Sequence, residues 1–321
     1  MTGDIRSPDV VTVTLNPAID LTVAVDRFVV GTVQRARTAV STVGGKGINV
    51  AGCLADWGAA VAVTGVLGRA NDVAFADFFA EKKIADRFVR TAGETRTNIK
   101  IADLATGDTT DLNLPGLTFA EGTFDAVRAT LMRSAAPGRP VVLAGSLPDG
   151  LPESAWSTLI DDLARLDARV VLDTSGHPLA AALAGATLPH AIKPNAHELE
   201  QLLGRPLPTI ADLVAAARDL VRRGVALVVV SRGAEGALFV DAETALAARL
   251  PAMTVLSTVG AGDAMVAGVV AGLVEGAALD RLARLAVAFA TAKLQRIGPH
   301  LGSPALVASL AERVDVTVLP H

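Results

Sequence analysis

One cysteine, Cys53, stands among 321 residues, so neither a disulfide nor a multi-thiolate zinc site can form within the chain. It reads as a buried, inert thiol in a helix. Histidine is sparse as well. His177, His190, His197, His300 and His321 never fall at the i, i+4 spacing of a helical metal pair. Neither sign of charge dominates: the formal net charge is −4, with acids and bases mixed along the chain. That excludes a polyelectrolyte partner such as nucleic acid but leaves small anions open. No apolar run approaches the ~20 residues of a membrane span. The longest that matters, Ala264 to Val274, is held between Asp263 and Glu275 and reads as a buried helix. Met1 to Asp9 are polar and lack the apolar core of a signal peptide. They are expected to be a disordered tail on a cytoplasmic protein.

What the chain has in quantity is small apolar residues. Hydrophobic residues make up 51% of it, much of that Ala and Val, enough for a large core. Val10 to Leu15 is β-branched and stops at Asn16-Pro17, as a buried strand before a turn does. Ala60 to Val66, Pro140 to Ala144, Arg169 to Asp173, His190 to Lys193 and Ala226 to Ser231 are similar compact runs. Amphipathic helix candidates separate them, at Gly47 to Trp57, Asp72 to Lys82, Phe124 to Ser134, Glu153 to Leu166 and Ile210 to Arg223. Asp263 to Val274, Asp280 to Arg296 and Pro304 to Arg313 are helical in pattern. This rhythm predicts an α/β fold, a mostly parallel sheet covered by helices on both faces. Leu21 to Phe28, Val33 to Thr42, Thr97 to Asp103 and Thr109 to Leu114 alternate apolar and polar residues, as half-exposed strands do. They predict a small β lid inserted at about 18–42 and 95–115 into one domain of residues 10–321.

Ser257-Thr258-Val259-Gly260-Ala261-Gly262-Asp263 follows a strand candidate, Ala252 to Leu256, and opens a helix. Glycines let N–H groups converge, and the helix N-terminus adds partial positive charge, so the turn suits a phosphoryl group. Asp263 at its edge can take a proton from an attacking hydroxyl, and the dipole there favours its ionised form. A plain glycine turn capped by Asp is the bland reading. The dinucleotide fingerprint fails at Met265, and a Walker A loop fails because Gly47 follows Lys46. Gly44-Gly45-Lys46-Gly47-Ile48-Asn49 joins a strand to a helix and places a cation and an amide beside close-approach backbone. Asp20 follows the first strand, where open α/β sheets place ligands, and can hold sugar hydroxyls. Arg96 precedes a lid strand; it reads as a phosphate ligand or as a plain surface arginine. Asn195 and Glu198, after Lys193, stand in capping-box order. Their functional reading is water-mediated contact with magnesium. Ser231-Arg232-Gly233-Ala234-Glu235-Gly236 reads as a glycine turn over a nucleotide, or as a simple hairpin.

Taken in this order, the motifs resemble the ribokinase/PfkB family of carbohydrate kinases. The family-like stretches are TLNPAID (14–20), GGKGINVA (44–51), TRTNIKI (95–101), LNLPG (112–116), AGSLPDG (144–150), LDTSG (172–176), IKPNAHEL (192–199), SRGAEGAL (231–238) and STVGAGDAMVAG (257–268). The start at Ser257-Thr258-Val259 is similar to the phosphofructokinase branch; Ala264 departs from its usual serine. The resemblance implies a three-layer α/β/α ribokinase-like fold with a β lid over the sugar. It implies Asp263 as general base, with Gly260, Ala261 and Gly262 as the anion hole. It places Lys193, Asn195, Ser231, Gly233, Ala234, Glu235, Gly236, Ser257 and Gly262 against ATP, and links Asn195 and Glu198 to Mg2+ through water. Asp20, Gly44, Gly45 and Asn49 would face the sugar, and Lys46 and Arg96 its phosphate, with Arg35 and Arg37 adding charge nearby. The implied reaction moves the ATP γ-phosphate to the 6-hydroxyl of fructose 1-phosphate. Tagatose 6-phosphate or fructose 6-phosphate is the alternative acceptor, and a non-catalytic sugar-phosphate sensor the alternative class. The free edges and apolar face of the lid predict a homodimer joined through it.

Overall fold

Runs of β-branched residues buried on both faces build the centre of the molecule. The computed structural model describes residues 8–250, 258–296 and 298–320. The chain opens with β1 (Val10–Thr14), β2 (Ala18–Val25), β3 (Thr38–Gly44), α1 (Lys46–Trp57), β4 (Val61–Gly68) and α2 (Val73–Glu81). It continues with β5 (Ala85–Asp86), β6 (Val89–Thr91), β7 (Thr97–Asp103), β8 (Thr109–Leu112), α3 (Thr123–Ser134), β9 (Pro140–Ala144) and α4 (Ala155–Ala164). Then come β10 (Arg169–Asp173), α5 (Gly176–Ala184), β11 (Ala191–Ile192), α6 (Ala196–Leu203), α7 (Ile210–Arg222), β12 (Leu227–Ser231), β13 (Ala237–Val240) and β14 (Ala245–Arg249). The last described elements are α8 (Ala261–Glu275), α9 (Leu279–Lys293), α10 (Pro304–Glu312) and β15 (Asp315–Val318).

The main sheet runs in the order β15-β14-β13-β12-β11-β10-β9-β1-β4-β5, with β6 also on β4. From β12 to β5 every pairing is parallel, and β13, β14 and β15 extend the sheet antiparallel. Side chains of a strand point alternately to its two faces. In β9, Val142 and Ala144 therefore enter one core while Val141 and Leu143 enter the other. The first core is closed by α1, α2, α8, α9 and α10. The second is closed by α3, α4, α5, α6 and α7. This is the expected three-layer architecture. The helix read from the apolar run Ala264 to Val274 is α8, buried from Asp263 to Leu273. Its glycines form a seam. A Cβ on Gly268 would stand 2.6 Å from the Cα of Ala286, and one on Gly272 would stand 2.9 Å from Leu282. The backbones of α8 and α9 thus nearly touch.

The lid is a separate sheet of order β3-β2-β7-β8. Strand β7 matches the alternating pattern, β2 starts earlier than expected, and β3 and β8 are shorter than it predicts. Strand β3 begins at Thr38 rather than Val33, because the register pairs Ala24 with Thr38 and leaves residues 26–37 as a connection. That connection is tied to itself: Thr32 and Gln34 both donate to the Val29 carbonyl, and Arg37 pairs with Asp26 at 2.8 Å. Arg35 and Arg37 lie exposed on it and line none of the cavities described below. The strand expected over His190 to Lys193 shortens to Ala191–Ile192. The Ser231–Gly236 turn does close a hairpin, with β12 and β13 antiparallel. The candidate strand Ala252 to Leu256 lies outside the described residues, as does Ser257. Among the described residues no helix is long and apolar enough to cross a membrane.

Candidate active site

Asp263 sits in the first turn of α8, only 8% exposed. Gly260 caps that turn at φ 78°, a left-handed conformation that a side chain would strain. N–H groups in a first helical turn have no intrahelical acceptor, and that of Ala261 makes only a long 3.4 Å bond back to the Thr258 carbonyl. The Asp263 carboxylate accepts a 2.7 Å hydrogen bond from Asn49 Nδ2, which α1 delivers. Burial, and then the charge of Asp173, lift Asp263 above the ordinary carboxylate range, against Lys46, Asn49 and Lys193. The helix dipole alone predicts the opposite direction; here desolvation outweighs it. Cys53, on the same helix as Asn49, is buried as expected, and burial pushes its thiol up to about 12. It is inert toward chemistry that needs a thiolate.

The turn separates two spaces. On the lid side lie two adjoining cavities of about 530 and 420 Å3. Both are lined by Asp20, Asn49 and Lys100, so they adjoin across these side chains and together make up the hollow beneath the lid. On the other side is a cavity of about 380 Å3, walled by Ser231, Gly233, Ala234 and Gly236 and by the apolar Met265, Val287, Ala290 and Leu294. Thr258 lines both sides, Gly260 the lid side, and Ala261 and Gly262 the far side. The glycine turn is therefore the partition.

Residues expected at the sugar fall into different roles. Asp20 projects into the lid hollow and accepts a bond from Asn98 at 3.1 Å. Burial raises it, opposed by Asn98, Lys100 and Arg96. Gly44 makes room for it: a Cβ there would meet Asp20 Oδ2 at 2.3 Å. Gly45, at φ 120°, brings the backbone against Thr14 and Pro17 and lines the hollow. Arg96 lines the hollow too, but its guanidinium is engaged. It donates to the carbonyls of Leu114, Asn16 and Pro17 at 3.0, 3.1 and 3.3 Å. It ties the root of the lid to the end of the first strand and retains two N–H groups for a ligand. Lys46 reaches Asp173 at 3.3 Å; burial lowers the lysine, but Asp173, Asp263 and Glu198 together raise it overall.

Asn195 and Glu198 form the capping box of α6; with Lys193 they do not line the far cavity, but Asn195 bridges to Ser231 in its wall. Asn195 Oδ1 accepts from the Glu198 N–H, and Glu198 Oε2 from the Asn195 N–H, each at 2.8 Å. One carboxylate oxygen and the amide NH2 remain available to water. Lys193 is 6% exposed, and its Nζ lies 3.5 Å from where a Cβ of Gly262 would be. Glu235 does not line the cavity; it is exposed and points to Arg249 at 3.8 Å. Four polar residues at the site escaped the sequence reading. Asn98 and Lys100 share one face of β7 and continue a two-residue period from Arg96 just before the strand, which was there to be read. Lys100 pairs across the lid with Asp111 at 2.8 Å. Asp173 ends β10, and Lys293, 2% exposed at the end of α9, donates to the Arg296 carbonyl at 2.9 Å beside Gly260. For Lys293 the sequence carries no signal.

Comparison with known proteins decides the family. The profile of the pfkB family carbohydrate kinases matches residues 12–306. The chain belongs to the pfkB family of carbohydrate kinases. Among relatives of this pfkB kinase, a 1-phosphofructokinase of Xanthomonas campestris pv. campestris is 49% identical, over 97% of this chain and 98% of that one. A 1-phosphofructokinase of Rhodobacter capsulatus is 46% identical, over 97% and 98%. Among solved structures, the phosphofructokinase-2 of Escherichia coli in complex with fructose-6-phosphate superposes with a TM-score of 0.87 at 29% identity, covering 95% of this chain and 98% of that one.

Proposed function

We propose that this kinase transfers the γ-phosphoryl group of ATP to the 6-hydroxyl of fructose 1-phosphate, giving fructose 1,6-bisphosphate. One observation carries the reading. Among the described residues, the N-terminal turn of α8 stands between the hollow under the lid and a partly apolar cavity, and Asp263 belongs to that turn. A phosphoryl donor on one side and an acceptor hydroxyl on the other would meet there. The relatives named 1-phosphofructokinase, matched end to end, favour fructose 1-phosphate.

In this reading Asp20 and Asn98 hold sugar hydroxyls, and Asn49 orients the Asp263 carboxylate toward the acceptor. Asp263 takes the hydroxyl proton as the oxygen attacks phosphorus, and ADP leaves on the far side. Gly260, Ala261 and Gly262 offer N–H groups to the charge that develops on the transferred group. Lys46, with Lys193 behind the turn, supplies cationic charge, and Arg96 and Lys100 face the substrate phosphate. The adenine would rest on Met265, Val287, Ala290 and Leu294, under the Ser231–Gly236 turn. Glu198 fits a magnesium ion held through water, because one carboxylate oxygen stays outside the capping box and can accept from the ion's water, whereas the free NH2 of Asn195 can only donate and suits a phosphate oxygen. Among the described residues no cluster of three acids, histidines or cysteines forms a cage of its own, which suits an ion that arrives with ATP. Bound magnesium would offset the charge between the β- and γ-phosphates.

We read residues 10–321 as one kinase domain carrying the lid, working in the cytoplasm as a homodimer. Val33 is fully exposed, Val30 86% and Leu104 59%, an apolar rim on the lid that a second copy would cover. Light scattering that returns an active monomer at working concentration would remove the dimer. The activity is tested by ATP consumption against fructose 1-phosphate, fructose 6-phosphate, tagatose 6-phosphate and fructose. Fructose 1-phosphate should give the highest kcat/KM. Preference for an unphosphorylated sugar would overturn the assignment.

A further inference from the structure

Asp173 is the most deeply buried carboxylate of the site, 1% exposed at the end of β10. Its two oxygens face two lysines: Oδ1 lies 3.3 Å from Lys193 and Oδ2 lies 3.3 Å from Lys46. Neither oxygen has a hydrogen-bonding donor of good geometry. Tight charge-assisted bonds are ~2.7–2.9 Å, so both lysines are held without being saturated. They come from elements distant in sequence. Lys46 opens α1, and Lys193 follows β11. Lys46 has 37% of its side chain exposed toward the lid hollow, while Lys193 is buried behind Gly262. Asp173 thus bridges the acceptor side to the donor side of the glycine turn.

Resting on the kinase reading above, we propose that Asp173 is a positioning residue that keeps Lys46 and Lys193 apart from Asp263. Four charged side chains meet here, two lysines and two carboxylates. Asp263 is faced by Lys46, Asn49 and Cys53 from α1, by Asp173 from β10, by Lys193 beyond β11 and by Lys293 from α9. With Asp173 ionised, each lysine has a carboxylate that is not the base. Without that charge, Asp263 is the carboxylate that acts on both cations, with Glu198 acting on Lys46 as well. A lysine paired directly with the base would stabilise its ionised form, weaken its pull on the hydroxyl proton, and leave the phosphoryl path. The charge of Asp173 also raises Asp263, second only to burial, so its loss acts in the same direction.

The test is Asp173→Asn, read by kcat, by KM for fructose 1-phosphate and ATP, and by the acid limb of the kcat–pH profile. We expect kcat to fall about 10²-fold, the scale of an ångström of misplacement, and the acid limb to move to lower pH. A merely structural loss lowers the active fraction and leaves that limb in place. Because Asp173→Asn strands two cations, Asp173→Asn/Lys193→Met restores the charge balance; Lys46 is still released, so the same downward shift is expected. Wild-type kcat with an unmoved limb in a folded variant overturns the proposal. So does a change confined to the magnesium requirement. Asp263→Asn serves as the control: full activity there would sink the site reading, whereas an inactive Asp263→Asn beside a normal Asp173→Asn sinks only this inference.

Discussion

Replacing Asp263 by asparagine should move activity and stability in opposite directions. The amide keeps the shape, and its oxygen can still accept the 2.7 Å bond from Asn49. It cannot take a proton. A positioned base contributes ~10²–10⁴-fold in rate, equivalent to about 2.7–5.4 kcal/mol of barrier. The fall should appear in kcat and leave KM for ATP near its starting value, because the base acts in the transition state. Stability follows from the raised pKa. A carboxyl whose folded value lies above its unfolded one favours folding fully only below the unfolded value. That contribution is lost as pH rises through the folded value. At neutral pH the ionised Asp263 is therefore a burden on the fold, about 1.4 kcal/mol for each unit of elevation. Asparagine removes the burden. Scanning calorimetry at pH 7 should give a higher Tm for the variant, and the gap should narrow at acid pH as the native carboxyl protonates. A variant with near-native kcat would place the base elsewhere. One with a lower Tm at pH 7 would show that burial does not govern this carboxyl.

Asn49→Ala removes a bond to a charged group, worth ~1.5–3 kcal/mol. We predict kcat down about ten- to a hundredfold and the acid limb moved to higher pH, since that bond lowers Asp263; an unmoved limb would refute the pairing. Arg96→Met releases three carbonyls at the lid root. After allowance for screening at a half-buried site it should cost about 1–3 kcal/mol and raise KM for the sugar phosphate, with Arg96→Lys a poor rescue. Unchanged Tm with raised KM would mean that the guanidinium serves the substrate alone. Chelation should stop turnover, and Glu198→Gln should raise the magnesium concentration at half-maximal rate; turnover in excess chelator would rule out the metal's part.

Strands at Pro140–Ala144, Arg169–Asp173 and Thr97–Asp103 were legible to the residue, because burial writes itself into runs of Val, Ile and Leu or into strict alternation. The start of β3 was not. Alternation continues back to Val33, and only the pairing of Ala24 with Thr38 says where the ladder ends. Strand β14 and the edge strand β15 carry weak patterns, and their pairing with each other joins segments far apart along the chain. At the site, glycine-rich turns announced themselves. Asp173 did not, since its meaning comes from Lys46 and Lys193, which only the folded sheet brings to it. Arg96 shows the converse: an arginine beside a ligand motif reads as a phosphate group's partner, and no sequence pattern reveals that three of its donors are also turned to carbonyls.

The seam between α8 and α9 bears on how such an enzyme can change over generations. Gly268 and Gly272 have no room for even a methyl group, and Gly268 lies about one and a half turns from Asp263. A mutation there would wedge the helices apart and tilt the base and the turn together. The lid residues Asn98, Lys100 and Asp111 stand on a sheet of their own, where replacements leave that seam untouched. Chemistry is thus frozen into the helix pair, and substrate choice is left to a part that can drift. Libraries built to alter the acceptor should vary the lid and spare the seam.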